Sequence, residues 1–131
     1  MAVVMEETSD PLERLKRLLM RHAQLIRENE ALPRIIFSEE VYSRSQQRKA
    51  RLHAIILEFL GRVAEIVRLG QEEGRIRSQL DPAVVSLMFL GTFQPAAILW
   101  HLSDGAFDVT KHSECAWGIL KNAIEAEGGE R

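Results

Sequence analysis

The chain has 131 residues, of which 46% are apolar and 27% charged, and its formal net charge is −2. These values are those of one ordinary globular domain and exclude a disordered or fibrous chain. Arginines and glutamates are mixed along the same segments, so no basic face gathers to neutralise phosphates, and a single cysteine, Cys115, excludes an internal disulfide.

Residues 1–9 lack the basic end and long apolar run of a secretion signal and read as a disordered or linker segment, which makes a reducing cytoplasm the default. Two Asp-Pro pairs, Asp10-Pro11 and Asp81-Pro82, mark helix starts. Aspartate at the N-cap accepts from the orphan amides, and proline in the first turn loses no hydrogen bond. Glu13, three residues after Asp10, has the place of the acidic arm of a capping box. Over residues 10–30, Leu12, Leu15, Leu18, Leu19, Leu25 and Ile26 recur at steps of three and four, leaving Arg14, Arg17, Arg21 and Glu28 for solvent, which predicts an amphipathic helix.

Pro33 interrupts this pattern, and Leu32, Ile35, Ile36 and Phe37 predict a short connecting helical turn. A longer helix over residues 41–69 carries Leu52, Ile55, Ile56, Phe59, Leu60, Val63, Ile66 and Val67 on one broad stripe, with Glu58 and Arg62 paired on the outside. Gly70 and Gly74 bracket its end, and residues 75–80 form a connector. After the turn at residues 103–105, a last helix over residues 109–127 puts Trp117, Leu120, Ala123 and Ile124 on its apolar side, and residues 128–131 read as a frayed tail.

Between these lies a segment, residues 82–102, with no formally charged residue and apolar nearly all round. Its length would span a membrane, but Gln94 and Pro95 stand near its middle and every other element is a plainly amphipathic soluble helix, so no membrane is expected. Pro95 predicts a kink, with Gly91, four residues back, leaving room for the bend. In so small a domain one core covers one side of such a helix, so a second surface is required, and a homodimer supplies it. Phe93, Trp100, Trp117, Leu120 and Ile124 are the candidates for that interface, although either tryptophan serves equally well in the monomer core.

The fold class expected is therefore all-α, a five-helix antiparallel bundle whose domain runs over residues 10–127. No Glu-x-x-His pair, His-Glu-x-x-His, phosphate-cradling loop or spaced cysteine ligands appear, so neither catalysis, metal nor cofactor is expected, and Cys115 on the last helix reads as a buried structural residue.

The stretch Gly70-Gln71-Glu72-Glu73-Gly74-Arg75-Ile76-Arg77, with Leu80-Asp81-Pro82 following, leads into an apolar helix containing Phe89-Leu90-Gly91 and ending Leu99-Trp100-His101-Leu102-Ser103. It resembles the C-terminal domain of TetR-family transcription regulators. Leu32-Pro33 before Ile36-Phe37, and Phe107-Asp108 before Trp117, fit the same pattern, and the likeness covers about residues 10–125. The resemblance implies that the last two helices pair with those of a second subunit in a four-helix bundle and that the earlier helices surround a small-molecule cavity. Helical phase then nominates Leu52, Ile56, Phe59 and Val63 for the cavity, with Phe37, Met88 and Thr92 closing it and His22 as its polar group, while His53 should face solvent. Each of these is also an ordinary core position. The partners implied are a second copy, a small hydrophobic ligand, and DNA only through a helix-turn-helix head that these residues do not contain. The expectation is of an excised regulatory domain, the alternative being a headless module that acts by forming heterodimers.

Overall fold

The computed structural model describes residues 2–28 and 44–127. The short element expected around residues 32–37, Phe37 included, and the expected tail at 128–131 lie outside the described residues. Within them the chain is all-helical: α1 (Ala2–Glu7), α2 (Pro11–Arg27), α3 (Gln46–Glu72), α4 (Pro82–Gly91), α5 (Gln94–Leu102) and α6 (Val109–Ile124). The central helix is α2, which packs against α3, α5 and α6, while α3 also packs along α4.

The helix starts follow the capping logic. The Asp10 carboxylate accepts from the amide of Leu12 at 3.0 Å, and Asp81 from that of Ala83 at 2.9 Å. Glu13 does not close a capping box. Its carboxylate pairs with Arg17 one turn on, and the Asp10 amide donates to the Thr8 hydroxyl at 3.1 Å. The long helix begins later than the apolar pattern implied, at Gln46, because the Ser45 hydroxyl accepts from the Arg48 amide. On its outer side Glu58 and Arg62 pair at 2.8 Å.

Residues 1–9, read as disordered or linker, contain α1, and Val4 is buried in the main core. Arg14 holds this turn in place: its guanidinium donates to the carbonyls of Thr8 at 2.7 Å and Met5 at 3.1 Å instead of standing free in solvent. Val4 enters the core and Met5 packs against it, so this segment is tied to the domain by its apolar half.

The connector after α3 is tightly tied. Gly74, with φ of 73°, takes the left-handed position that ends the helix, and the amides of Arg75 and Ile76 both reach back to the Gly70 carbonyl. The Gln71 side-chain Nε2 donates to the carbonyls of Arg77 and Leu80. Gly70 answers a close approach: a Cβ there would lie 2.5 Å from Ile76 Cδ1, 2.9 Å from Ile76 Cγ1 and 3.1 Å from Pro11 Cβ. Ile76 is fully buried, so Gly70→Ala is expected to lower stability by about 1–3 kcal/mol in urea titration, although alanine is the better helix former. An unchanged or raised midpoint would contradict that packing.

The segment Pro82–Leu102 is long and apolar enough to cross a membrane by length and composition, with 39% of its most apolar 18 residues buried. It is not one kinked helix. The chain breaks at Thr92–Phe93 into helices of 10 and 9 residues, with the amides of Thr92 and Phe93 turning to the carbonyls of Phe89 and Leu90. Pro95, at the start of α5, cannot donate to the Gly91 carbonyl, so continuing the α-helix through it has no reward. A Cβ on Gly91 would meet nothing within 4 Å, so steric relief at that position is not what permits the break.

Candidate functional site

Two features stand out: an aromatic cluster where α2, α3 and the α4–α5 break meet, and an uncovered apolar face on α4, α5 and α6.

The cluster is built on His22. It falls on the inward phase of α2, between Leu19 and Ile26, and is buried. Its ring stacks on Phe93 with centroids 4.3 Å apart and planes within 4°, and it meets Phe59 of α3 edge-on at 5.3 Å. Phe93 in turn contacts Phe59 and Phe89 in edge-to-face geometry, each at 6.0 Å. Aromatic pairs at these separations add to the gain from burial. Burial, reinforced by the charge on Arg21, pushes the His22 imidazole down from 6.5 to about 4, so it is neutral at pH 7. A neutral imidazole keeps one donor and one acceptor nitrogen, which is what a mostly apolar cavity needs to orient a guest.

Of the other residues nominated for the cavity, Leu52 and Val63 are buried, and Ile56 and Phe59 are partly buried, Phe59 against His22 and Phe93. Met88 does not close it. It is 58% exposed on the outer side of α4. Thr92 sits at the break, its hydroxyl donating to the Phe89 carbonyl at 2.6 Å. His53 faces solvent.

The residues nominated for the interface are corrected more thoroughly. Phe93, Trp117, Leu120 and Ile124 are all buried within the single chain, and Trp100 is partly buried against the same core. Among the described residues, the large apolar side chains left uncovered are Ile55 and Leu57 on α3, so that Ile55 is not on the buried stripe, Val84, Leu87 and Met88 on α4, Ile98, Leu99 and Leu102 on α5, and Ile119 on α6, with exposures from 39% to 76%. Along α4 and α5 these fall at steps of one, three and four, so each set forms one face. Cys115, expected to be buried, is exposed on α6 beside this set, one turn before Ile119.

A hollow of about 740 Å³ opens elsewhere, at the turn between α5 and α6. Trp100 and Phe107 line it with Arg27 and Lys111, and Arg27 donates to the Thr110 hydroxyl at 3.3 Å. None of the nominated cavity residues lines it. Among the described residues no group of three His, Cys, Asp or Glu is placed to hold a metal ion.

The family model for the C-terminal region of YsiA-like proteins, a TetR-type C-terminal family, matches residues 1–123. The chain belongs to this TetR family. No curated protein matches it. Among solved structures, the ketosteroid transcriptional regulator KstR2 of Mycobacterium tuberculosis is similar, with a TM-score of 0.80 and 23% identity over 96% of this chain. At that identity the likeness is one of fold, and the chain spans 64% of that protein's length. The TetR match takes in α1 as well as α2 to α6, so residues 1–9 lie inside the matched region. It makes the chain a TetR C-terminal regulatory domain. Members of the TetR family are transcription regulators, generally not enzymes, that bind small molecules and dimerise on DNA.

His112 and the uncovered face escaped the sequence reading. His112 reaches 3.0 Å from the Thr92 carbonyl, a contact between helices twenty residues apart that no local pattern announces. The face had no such pattern either: Leu87, Met88, Ile98, Leu99 and Leu102 are exposed, while Val85, Phe89, Leu90 and Phe93 of the same apolar segment are buried with Ser86, Ala96 and Ala97.

Proposed function

We propose that this TetR C-terminal domain senses a small apolar molecule at the His22, Phe59 and Phe93 cluster and dimerises through Leu87, Met88, Ile98, Leu99, Leu102 and Ile119, so controlling a DNA-reading head. The observation that carries the reading is the apolar exposure on three successive helices: in an isolated domain Val84, Leu87, Met88, Ile98, Leu99, Leu102 and Ile119 of α4, α5 and α6 would stay in water, exposure of the kind that marks an interface. Family membership supports a second copy as its cover. The cluster supports an apolar effector because two phenylalanine rings, Phe59 and Phe93, contact one uncharged polar group, with Phe89 behind Phe93. Ile56 and Val63 belong to the same apolar packing along α3, Leu52 is buried one turn before Ile56, and Thr92 adds a hydroxyl. The effector acts by binding one arrangement of these helices better than another, since equal affinity shifts no equilibrium. The reading places the domain in the cytoplasm.

The similar fold of a ketosteroid regulator makes a soluble ketosteroid the first probe. Isothermal titration is expected to show saturable binding at one site per chain, weakened at least about tenfold in Ile56→Glu, which puts a charge on the half-buried lining. Saturable binding with equal affinity in that variant would place the effector elsewhere, the hollow at Arg27 and Trp100 being the next site to test.

A further inference from the structure

Each of α2, α3, α4 and α6 starts with a side-chain cap, from Asp10, Ser45, Asp81 and Asp108 in turn. The α5 helix does not: Phe93 stands at its N-cap with no side-chain hydrogen bond, and the next position but one is Pro95. The two residues of the break are instead held from outside by two histidines on different helices. His22 of α2 stacks on the Phe93 ring at 4.3 Å. His112 of α6 approaches the Thr92 carbonyl with Nε2 at 3.0 Å, and because a carbonyl only accepts, that nitrogen carries the proton. The His112 ring is itself propped by Phe107, 5.7 Å away in the turn before α6. Beyond the break, α5 buries only Ala96 and Ala97 completely and carries Ile98, Leu99 and Leu102 outward.

We propose that the Thr92–Phe93 break is a hinge latched by His22 and His112, and that the latch sets the orientation of α5. The inference deepens the functional reading above, since one latch residue belongs to the aromatic cluster and α5 carries part of the uncovered face. A guest that displaces the Phe93 ring loosens one latch and moves Ile98, Leu99 and Leu102 together. The cluster and the face are then joined by nine residues of helix, with no signal required through the rest of the core.

Amide hydrogen exchange at fixed pH tests this without any effector, so failure of the latch and failure of the functional reading are separate results. In His112→Leu, which removes the donor, the amides of residues 96–102 are expected to exchange at least about tenfold faster while those of α2 and α3 hold their rates; His112→Gln, which can donate, should stay near the parent. Pro95→Ala is the second variant, at an exposed position where folding is not at risk. It restores a donor toward the Gly91 carbonyl and should slow exchange across residues 96–98 by about fivefold or more. Uniform acceleration of all helices in His112→Leu, or no local change in Pro95→Ala, would overturn the hinge.

Discussion

Taking the domain from pH 7 to pH 4.5 is expected to cost about 2–3 kcal/mol of folding stability through His22 alone. The folded imidazole is pushed down to about 4, against 6.5 in an unfolded chain. Protonation therefore favours the unfolded state. The contribution is complete above pH 6.5 and is lost as the pH falls from 6.5 toward 4. The cause is the loss of water around a ring packed against Phe93 and Phe59, with no carboxylate among those contacts to compensate a charge. Carboxylates titrate in the same range, so the observable is the difference between the parent and His22→Leu. Urea titrations at pH 7, 6, 5 and 4.5 should give curves that converge as the pH falls, the variant losing less. Parallel curves would mean that His22 is hydrated in the folded state and is no part of a closed cluster.

Leu99→Glu and Leu102→Lys, each at an exposed position on α5, are expected to raise the dimer dissociation constant at least about a hundredfold while leaving the fold intact. A charge brought unpaired into an interface loses its hydration, and at these sites the separated monomer suffers no such loss. Sedimentation velocity reads the association, and circular dichroism with thermal melts reads the fold. Val85→Glu is the opposite control: Val85 is buried one residue from Val84, so a charge there should unfold the chain at any concentration. If Leu99→Glu and Leu102→Lys associate as the parent does, the second copy sits on some other surface.

Much of this architecture was legible from the chain. The Asp-Pro pairs fixed two helix starts because both the carboxylate and the ring act within one turn, and the Leu and Ile spacing of α2 fixed its inward face because polar residues mark the outer one. Residues 82–102 offered no such contrast. With no charged residue to mark a wet side, hydrophobicity cannot say which face meets the monomer core, and Phe93 was assigned outward and Met88 inward, the reverse of their places. Size does not separate the two sides either, since Val85, Phe89, Leu90 and Phe93 are buried beside the small Ser86, Ala96 and Ala97; only the packing of α4 on α3 and of α5 on α2 does. For α6 the apolar side was legible but not what it meets: Trp117, Leu120 and Ile124 were assigned to a second copy, whereas they are buried in the single chain, where α6 packs on α2, and Ile119 is left exposed. In the aromatic cluster, the inward places of His22 and Phe59 were legible from helical phase. Their stacking partner was not, because Phe93 reaches them only through the break that Pro95 brings about.

The most direct test of the account is the mass of the purified chain in solution, by light scattering after size exclusion at several concentrations and moderate salt. A constant mass of twice 14.9 kDa is the predicted result, with the exposed face of α4, α5 and α6 covered by its copy. A mass of 14.9 kDa that holds at the highest concentration would contradict it, leaving Leu87, Leu99, Leu102 and Ile119 in water and the domain without the dimer on which the proposed control of DNA binding depends.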